Sequence, residues 1–337
     1  MKKLKLFVCL TLLVPIVFSG CGPKVPAYKK KLLVDTKPTE GLVFDRYEDV
    51  LFHLDTAHFQ EGLKSIQHQY LPFLDGDLDN PEAVRYLKSF AVDPFIVRLY
   101  QKVKQAFPDL HVITAIVDEV YGHFHHYYPD TPLPTHVYTC VSGVDPDMSP
   151  VFFAGDALVI SLDWYLNGDV VYEQMGMPQY RARRTMVESL AKDLGQLLYD
   201  TYLDQEAKHS SLLEEMVAVG RADYFIEAMC PEIADSVLLG YSEIQMDWAE
   251  FNEGNLWADM VGNQCLYSTD LEVYRTFLSD GPFTNEYSHE APPRLGEFVG
   301  LHIVRSFMDV RETTLQELMQ ASDLQGLFLD SRYKPKK

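Results

Sequence analysis

From about residue 60 onward the apolar positions of this chain recur every three or four residues, the spacing of helices with one face turned inward. Leu63, Ile66 and Tyr70 form one such stripe, Ala83, Tyr86, Leu87 and Phe90 a second, and Ile96, Leu99, Tyr100 and Val103 a third. Val112 to Tyr128 continues as a longer helix. After a central interruption the spacing returns over Tyr180–Tyr202, Leu212–Met229, Ser242–Val261, Leu271–Leu278, Pro293–Met308 and Thr314–Phe328. Within the interruption the pattern is that of strands: Thr135–Val141 and Ala157–Ser161 are short β-branched and aromatic runs, bounded by Pro134, Gly143, Gly155 and Asp156. Two or three strands between helical blocks, with no second linker, predict one mainly α domain (α+β) with a small central sheet.

The N-terminus follows a different pattern. Met1-Lys2-Lys3-Leu4-Lys5 is basic, Leu6 to Phe18 is apolar, and Ser19-Gly20 leads into Cys21. The run is too short for a permanent membrane span and has the three-part build of an export signal. Small residues before a cysteine predict a lipoprotein signal over 1–20, with acyl chains on Cys21 once it is removed. Two or more chains anchor a protein stably, whereas one holds only marginally. Gly22 to Glu40 is rich in Lys and Pro without an apolar period, so residues 21–40 read as a tether and 41–337 as a single globular domain.

The chain carries 29 basic and 49 acidic residues, a net charge of −20, and loss of three signal lysines takes it to −23. Such a surface repels phosphate backbones, which argues against nucleic acid as a partner and leaves the anchor to hold the membrane. Beyond Cys9 and Cys21, the widely spaced Cys140, Cys230 and Cys265 make no disulfide framework and no metal or redox pair. Phosphate-binding glycine loops, the dinucleotide fingerprint and the serine-hydrolase elbow are absent.

His123 and His126 share a helix near Asp118 and Glu119, but no third ligand is spaced to close a metal site, so a helix end with aromatic packing is the simpler reading. The segment Arg183–Leu194 is similar to the helix of H-E-x-x-H zinc peptidases: Glu188 stands at the general-base position, while Val187 and Ala191 occupy those of the imidazoles. In the segment from Glu215 to Phe225, Val219 takes the place of the third ligand. Aliphatic side chains cannot bind zinc, so these residues predict a peptidase-like scaffold without its metal, and no cofactor. A displaced site at His209 with Glu214 or Glu215 lacks supporting spacing. Asp163, after the second strand, reads as a helix N-cap. Trp248, Asn252, Glu253 and Trp257 line one helical stretch as a candidate binding groove, or as indoles with polar partners. Pro292-Pro293-Arg294-Leu295-Gly296 opens a helix whose Gly296 and Gly300 allow close backbone approach, with Arg294 a candidate binding residue.

An ordered set of segments carries a family resemblance: R-Y-E-D-V-L-F from Arg46, H-H-Y-Y-P from His125, I-S-L-D-W-Y-L from Ile160, W-A-E-F-N-E-G-N-L-W from Trp248, L-Y-S-T-D from Leu266, P-P-R-L-G from Pro292 and Y-K-P from Tyr333. From about residue 44 to the end the chain resembles the GldB-type gliding-motility lipoproteins of Bacteroidetes. The resemblance implies an envelope protein of gliding and its linked secretion, and it brings no catalytic residues. The expectation is a non-catalytic lipoprotein contacting other envelope proteins and, lacking an acidic cluster after Cys21, facing the periplasm. The alternative is a metal-dependent hydrolase of envelope peptides with Glu188 as general base.

Overall fold

The structure is a computed structural model describing residues 25–145, 148–167, 172, 176–203 and 211–336. The segment expected to be an export signal, Cys21 and His209 lie outside the described residues. Four strands form the sheet: β1 (Val43–Arg46), β2 (His136–Cys140), β3 (Val151–Ala154) and β4 (Ala157–Ser161), in the order β1-β2-β4-β3. β1 and β4 both run parallel to β2, and β3 returns antiparallel on β4 through a turn at Gly155, whose φ is +62°. Alternation divides the sheet between two cores. Val137, Leu158 and Ile160 enter the larger one, and Tyr138, Cys140, Ala157 and Val159 the smaller.

A short helix, α1 (Ala27–Leu32), comes first in the chain and packs on the body, with Leu32 buried. The body therefore begins before residue 41, the boundary expected from composition. Lys29, Lys31 and Tyr28 make specific contacts that a count of Lys and Pro does not reveal. The smaller core is covered by α2 (Tyr47–Leu51), α3 (Phe59–Ile66), α4 (Leu71–Leu74) and α5 (Pro81–Val92). Asn80 caps α5 by accepting from the Glu82 amide, with Pro81 in the first turn, where its missing N–H costs nothing. Tyr86, expected on the inner face of α5, is 73 % exposed; Val84, Leu87, Phe90 and Ala91 pack instead.

α6 (Pro94–Ala106) starts where Asp93 accepts from the Phe95 and Ile96 amides, and it buries Ile96, Leu99 and Val103 as expected. α7 (His111–Tyr127) follows. Next come α8 (Gln179–Ala182) and α9 (Ser189–Tyr202), so the single helix expected over 180–202 is two, joined by a turn. α10 (Leu212–Met229) is the central helix, buried over most of its length. Around it lie α11 (Asp235–Leu239), α12 (Glu243–Gly262), α13 (Leu271–Leu278) and α14 (Leu295–Val310). The helix expected over 314–328 is also two, α15 (Leu315–Gln320) and α16 (Leu324–Ser331), because Asp323 turns its side chain onto the Gly326 amide and starts a second helix.

α10 and α14 meet almost backbone to backbone. A Cβ on Gly220 would collide with the carbonyl carbon of Gly300, and one on Gly300 with the carbonyl oxygen of Met216. Gly296 faces Phe277 and Leu278 of α13, where a Cβ would lie 3.0 Å from the Phe277 carbonyl oxygen. The glycine spacing read from the sequence thus serves as a packing device.

Candidate functional site

At the N-terminal end of α14 the molecule opens into a cleft of about 850 Å³. Its walls come from three distant parts of the chain: the turn from α8 into α9, the corner from α11 into α12, and the loop around Gly281, Pro282 and Pro293. Tyr180, Arg183, Arg184, Glu188 and Ser189 line the first wall, and Gly240, Tyr241 and Ser242 the second.

The corner is built by necessity around Gly240. It ends α11 in the left-handed region at φ +66°, and a Cβ there would lie 2.7 Å from Arg184 Nε. Arg184 uses the space: Nε donates to the Gly240 carbonyl at 3.2 Å, and the two terminal nitrogens fork onto Asp280 at 3.1 and 2.9 Å. Behind it Arg294, itself left-handed at φ +55°, grips Glu297 at 2.8 and 2.5 Å, lies 3.4 Å from Asp280, and donates to the Leu239 carbonyl. Tyr241 closes the joint by donating its hydroxyl to the Pro293 carbonyl at 2.8 Å. Burial works against the Asp280 carboxylate, but the hydrogen bonds and charge of Arg184, with Arg294 behind, outweigh it and hold its pKa below the usual carboxylate range. Beneath this layer Asp223 of α10 is buried, with Oδ2 unpartnered among the described residues. Burial first, and then the neighbouring Glu297, push its pKa well above the usual range.

Glu188 is exposed at the mouth of the cleft, at the position before α9, and makes no capping bond. Val187 packs against the larger core and Ala191 is buried in it, so the frame that would carry imidazoles in a zinc peptidase is packed. Ser189 is 6 % exposed and presents to the cleft. Among the described residues no three His, Cys, Asp or Glu side chains gather as a metal-holding group. Tyrosines and prolines line the cleft, and its charged lining residues are Arg183, Arg184, Glu188 and Glu243.

The other residues singled out in the sequence are dispersed. Glu253, 1 % exposed, accepts from His302 Nδ1 and the Tyr333 hydroxyl, both at 2.8 Å, and from the Lys336 amide at 3.3 Å. Trp257 meets Tyr333 edge-on at 5.2 Å and Phe328 at 5.6 Å. The stretch expected to form a groove is therefore occupied at this end by the chain's own C-terminal segment. Trp248 packs on Tyr287 at 5.9 Å, and Asn252 donates to the Trp248 carbonyl rather than meeting an indole. Arg294 alone among that candidate set stands at the cleft, behind its wall. His123 is buried on the Glu119 carbonyl at 2.9 Å while His126 is exposed, so the pair does not converge.

Asp163 is not a cap. Wholly buried, it accepts from the amides of Ser142, Gly143 and Val144 and holds the exit of β2, because Ser161 and not Asp163 precedes the turn. Burial raises its pKa to about 6 against those hydrogen bonds. Sequence reasoning missed Tyr180, Arg184, Gly240 and Asp280. The one available signal was the cluster Arg181, Arg183 and Arg184 in a strongly acidic chain.

The family described as "Gliding motility protein GldB" matches residues 29–335. No curated protein and no solved structure matches the chain.

Proposed function

The chain belongs to the family of the gliding motility protein GldB, and from that premise we propose a lipid-anchored, non-catalytic envelope component that supports gliding or its linked secretion by holding a segment of a partner protein in the cleft. Acyl chains on Cys21 supply the anchor, and the body faces the periplasm. Among the described residues no helix is long and apolar enough to cross a membrane. The observation that carries the reading is the cleft itself: an open volume of about 850 Å³ whose lining residue Arg184 is engaged with Asp280, with Arg294 and Glu297 paired behind it, so that the wall is braced. Rigid, preorganised walls suit recognition, because little order is lost when a partner binds.

A photocrosslinking residue in place of Arg183, at the rim, captures envelope proteins in intact cells, whereas one in place of Tyr86 does not. Equal capture from both positions, or none from the rim, overturns the reading. Cys21→Ala moves the protein from the membrane fraction to the soluble fraction, and unchanged fractionation removes the anchor. The exposed Glu188 at the mouth favours a second reading, a metal-dependent hydrolase of envelope peptides with Glu188 as general base. Stoichiometric zinc in protein purified without a histidine tag, with a hydrolytic activity lost in Glu188→Gln, establishes that alternative.

A further inference from the structure

The approach from Cys21 to the body is short. Residues 22–26 separate it from Ala27, the start of α1. A chain covers at most about 3.5 Å per residue, so Ala27 lies within roughly 20 Å of an acylated Cys21.

α1 is firmly seated on the body. Lys29 Nζ meets the buried Glu227 at 2.8 Å, Arg305 Nε meets the same carboxylate at 2.9 Å, and Arg305 forks onto Asp235 at 2.7 and 2.6 Å. The Tyr28 amide donates to Asp309 at 3.0 Å, and the Arg305 guanidinium lies 5.4 Å from the Tyr28 ring centroid. Lys31 donates to the carbonyls of Met308 and Arg311 at 2.8 and 2.5 Å, at the C-terminal end of α14, where a cation is favoured. A short lead joined to a fixed seat leaves one end of the body little freedom to leave the bilayer.

That end is also distinct in composition. Val25, Leu33 and Val310 are 45 %, 49 % and 48 % exposed, and Leu329 is 70 % exposed. An ion pair between Arg311 and Asp330 ties the end of α16 that carries Leu329 to the end of α14 that carries Val310. The carboxylates here, Asp309, Glu312 and Asp330, are opposed by Lys30, Lys31 and Arg311, so the end is near neutral on a chain of net charge −20. A neutral, apolar-studded end can approach anionic headgroups that the rest of the surface repels.

We propose that this end is the membrane-contacting face of the protein. Its occupant is the bilayer that receives the chain's own acyl groups: Val25, Leu33 and Val310 enter the headgroup boundary, and Lys30 turns its cation to lipid phosphates. The inference rests on the acylation of Cys21 in the preceding section, and it fixes which way the anchored body points. α5, beneath the other face of the sheet, looks away from the membrane.

The test uses full-length acylated protein carrying Cys230→Ala and Cys265→Ser, reconstituted into phosphatidylethanolamine and phosphatidylglycerol vesicles with a nitroxide headgroup lipid. A fluorophore on Val310→Cys, or independently on Leu33→Cys, loses several-fold more emission than one on Tyr86→Cys. Equal quenching at the two ends, or stronger quenching at Tyr86, overturns the proposal. Failure to float with the vesicles instead overturns the anchor, so the two failures are read separately. Circular dichroism confirms the fold of each labelled protein, and agreement of the two labels at the α1 end guards against a local effect of either substitution.

Discussion

The two ends of the α10–α14 pairing are built by opposite means. Along the seam, side chains are removed: Gly220 and Gly300 bring one backbone onto the other until not even a methyl group fits. At the N-terminal end of α14, long charged side chains are inserted, and Arg184, Asp280, Arg294 and Glu297 hold the walls apart around a cleft of about 850 Å³. The seam gives rigidity through contact and the cleft through charge. An open cleft needs both, because the braced wall keeps its shape only while the helix behind it cannot move.

Breaking the seam has the largest expected effect. Gly300→Val places atoms where the Met216 carbonyl stands, forces the helices apart, and costs about 3 kcal/mol or more, read as a large fall in the urea midpoint. Arg294→Met comes next. It leaves Glu297 uncompensated beside Asp223, and loss of one partner of such a buried pair costs about 3 kcal/mol by the same measurement. Gly240→Ala strains a left-handed residue and displaces Arg184, for about 1–2 kcal/mol together with reduced crosslinking from the rim.

Two carboxylates near the cleft also separate by pH. Asp280 has a depressed pKa, so its contribution is present above the unfolded carboxylate pKa and is lost as pH falls through the folded value. Asp223 has a raised pKa, so its contribution is present below the unfolded pKa and is lost as pH rises toward the folded value. In melting temperatures recorded across acid and neutral pH, Asp280→Asn flattens the loss on acidification, and Asp223→Asn flattens the loss on going toward neutrality. Identical profiles for the two variants erase the distinction between the two carboxylates. The smallest effect belongs to Glu188→Gln, within about 0.5 kcal/mol of the parent, because this exposed carboxylate braces nothing.

Helical periodicity located the body of the fold well, since Leu99, Val103, Val117 and most of α10 are buried where the spacing required. It could not locate β1, where the apolar run Leu42-Val43-Phe44 is only three residues long before Asp45-Arg46 and the strand depends on pairing with β2 across ninety residues of intervening chain. The breaks before Ser189 and Leu324 escaped for a related reason, because apolar spacing continues through turns that side-chain hydrogen bonds create locally. At the cleft, Arg294 and Glu188 stood out singly by type and position. The geometry that joins them is made of turns from three separated segments, and no local pattern encodes how such turns meet. Glu253 and Trp257 were legible as a polar and aromatic cluster, but their partners, Tyr333 and Lys336, lie some eighty residues away.

The seating of α1 has a consequence for how the chain reaches this structure. Its contacts run to Glu227 at a separation of 198 residues and to Asp309 at 281. While the polypeptide is being made, α1 has no complement until the residues of α14 have emerged, and contacts so remote in sequence are slow to form. Maturation thus ends where synthesis began, when the last long helix arrives and the leading segment finds its berth.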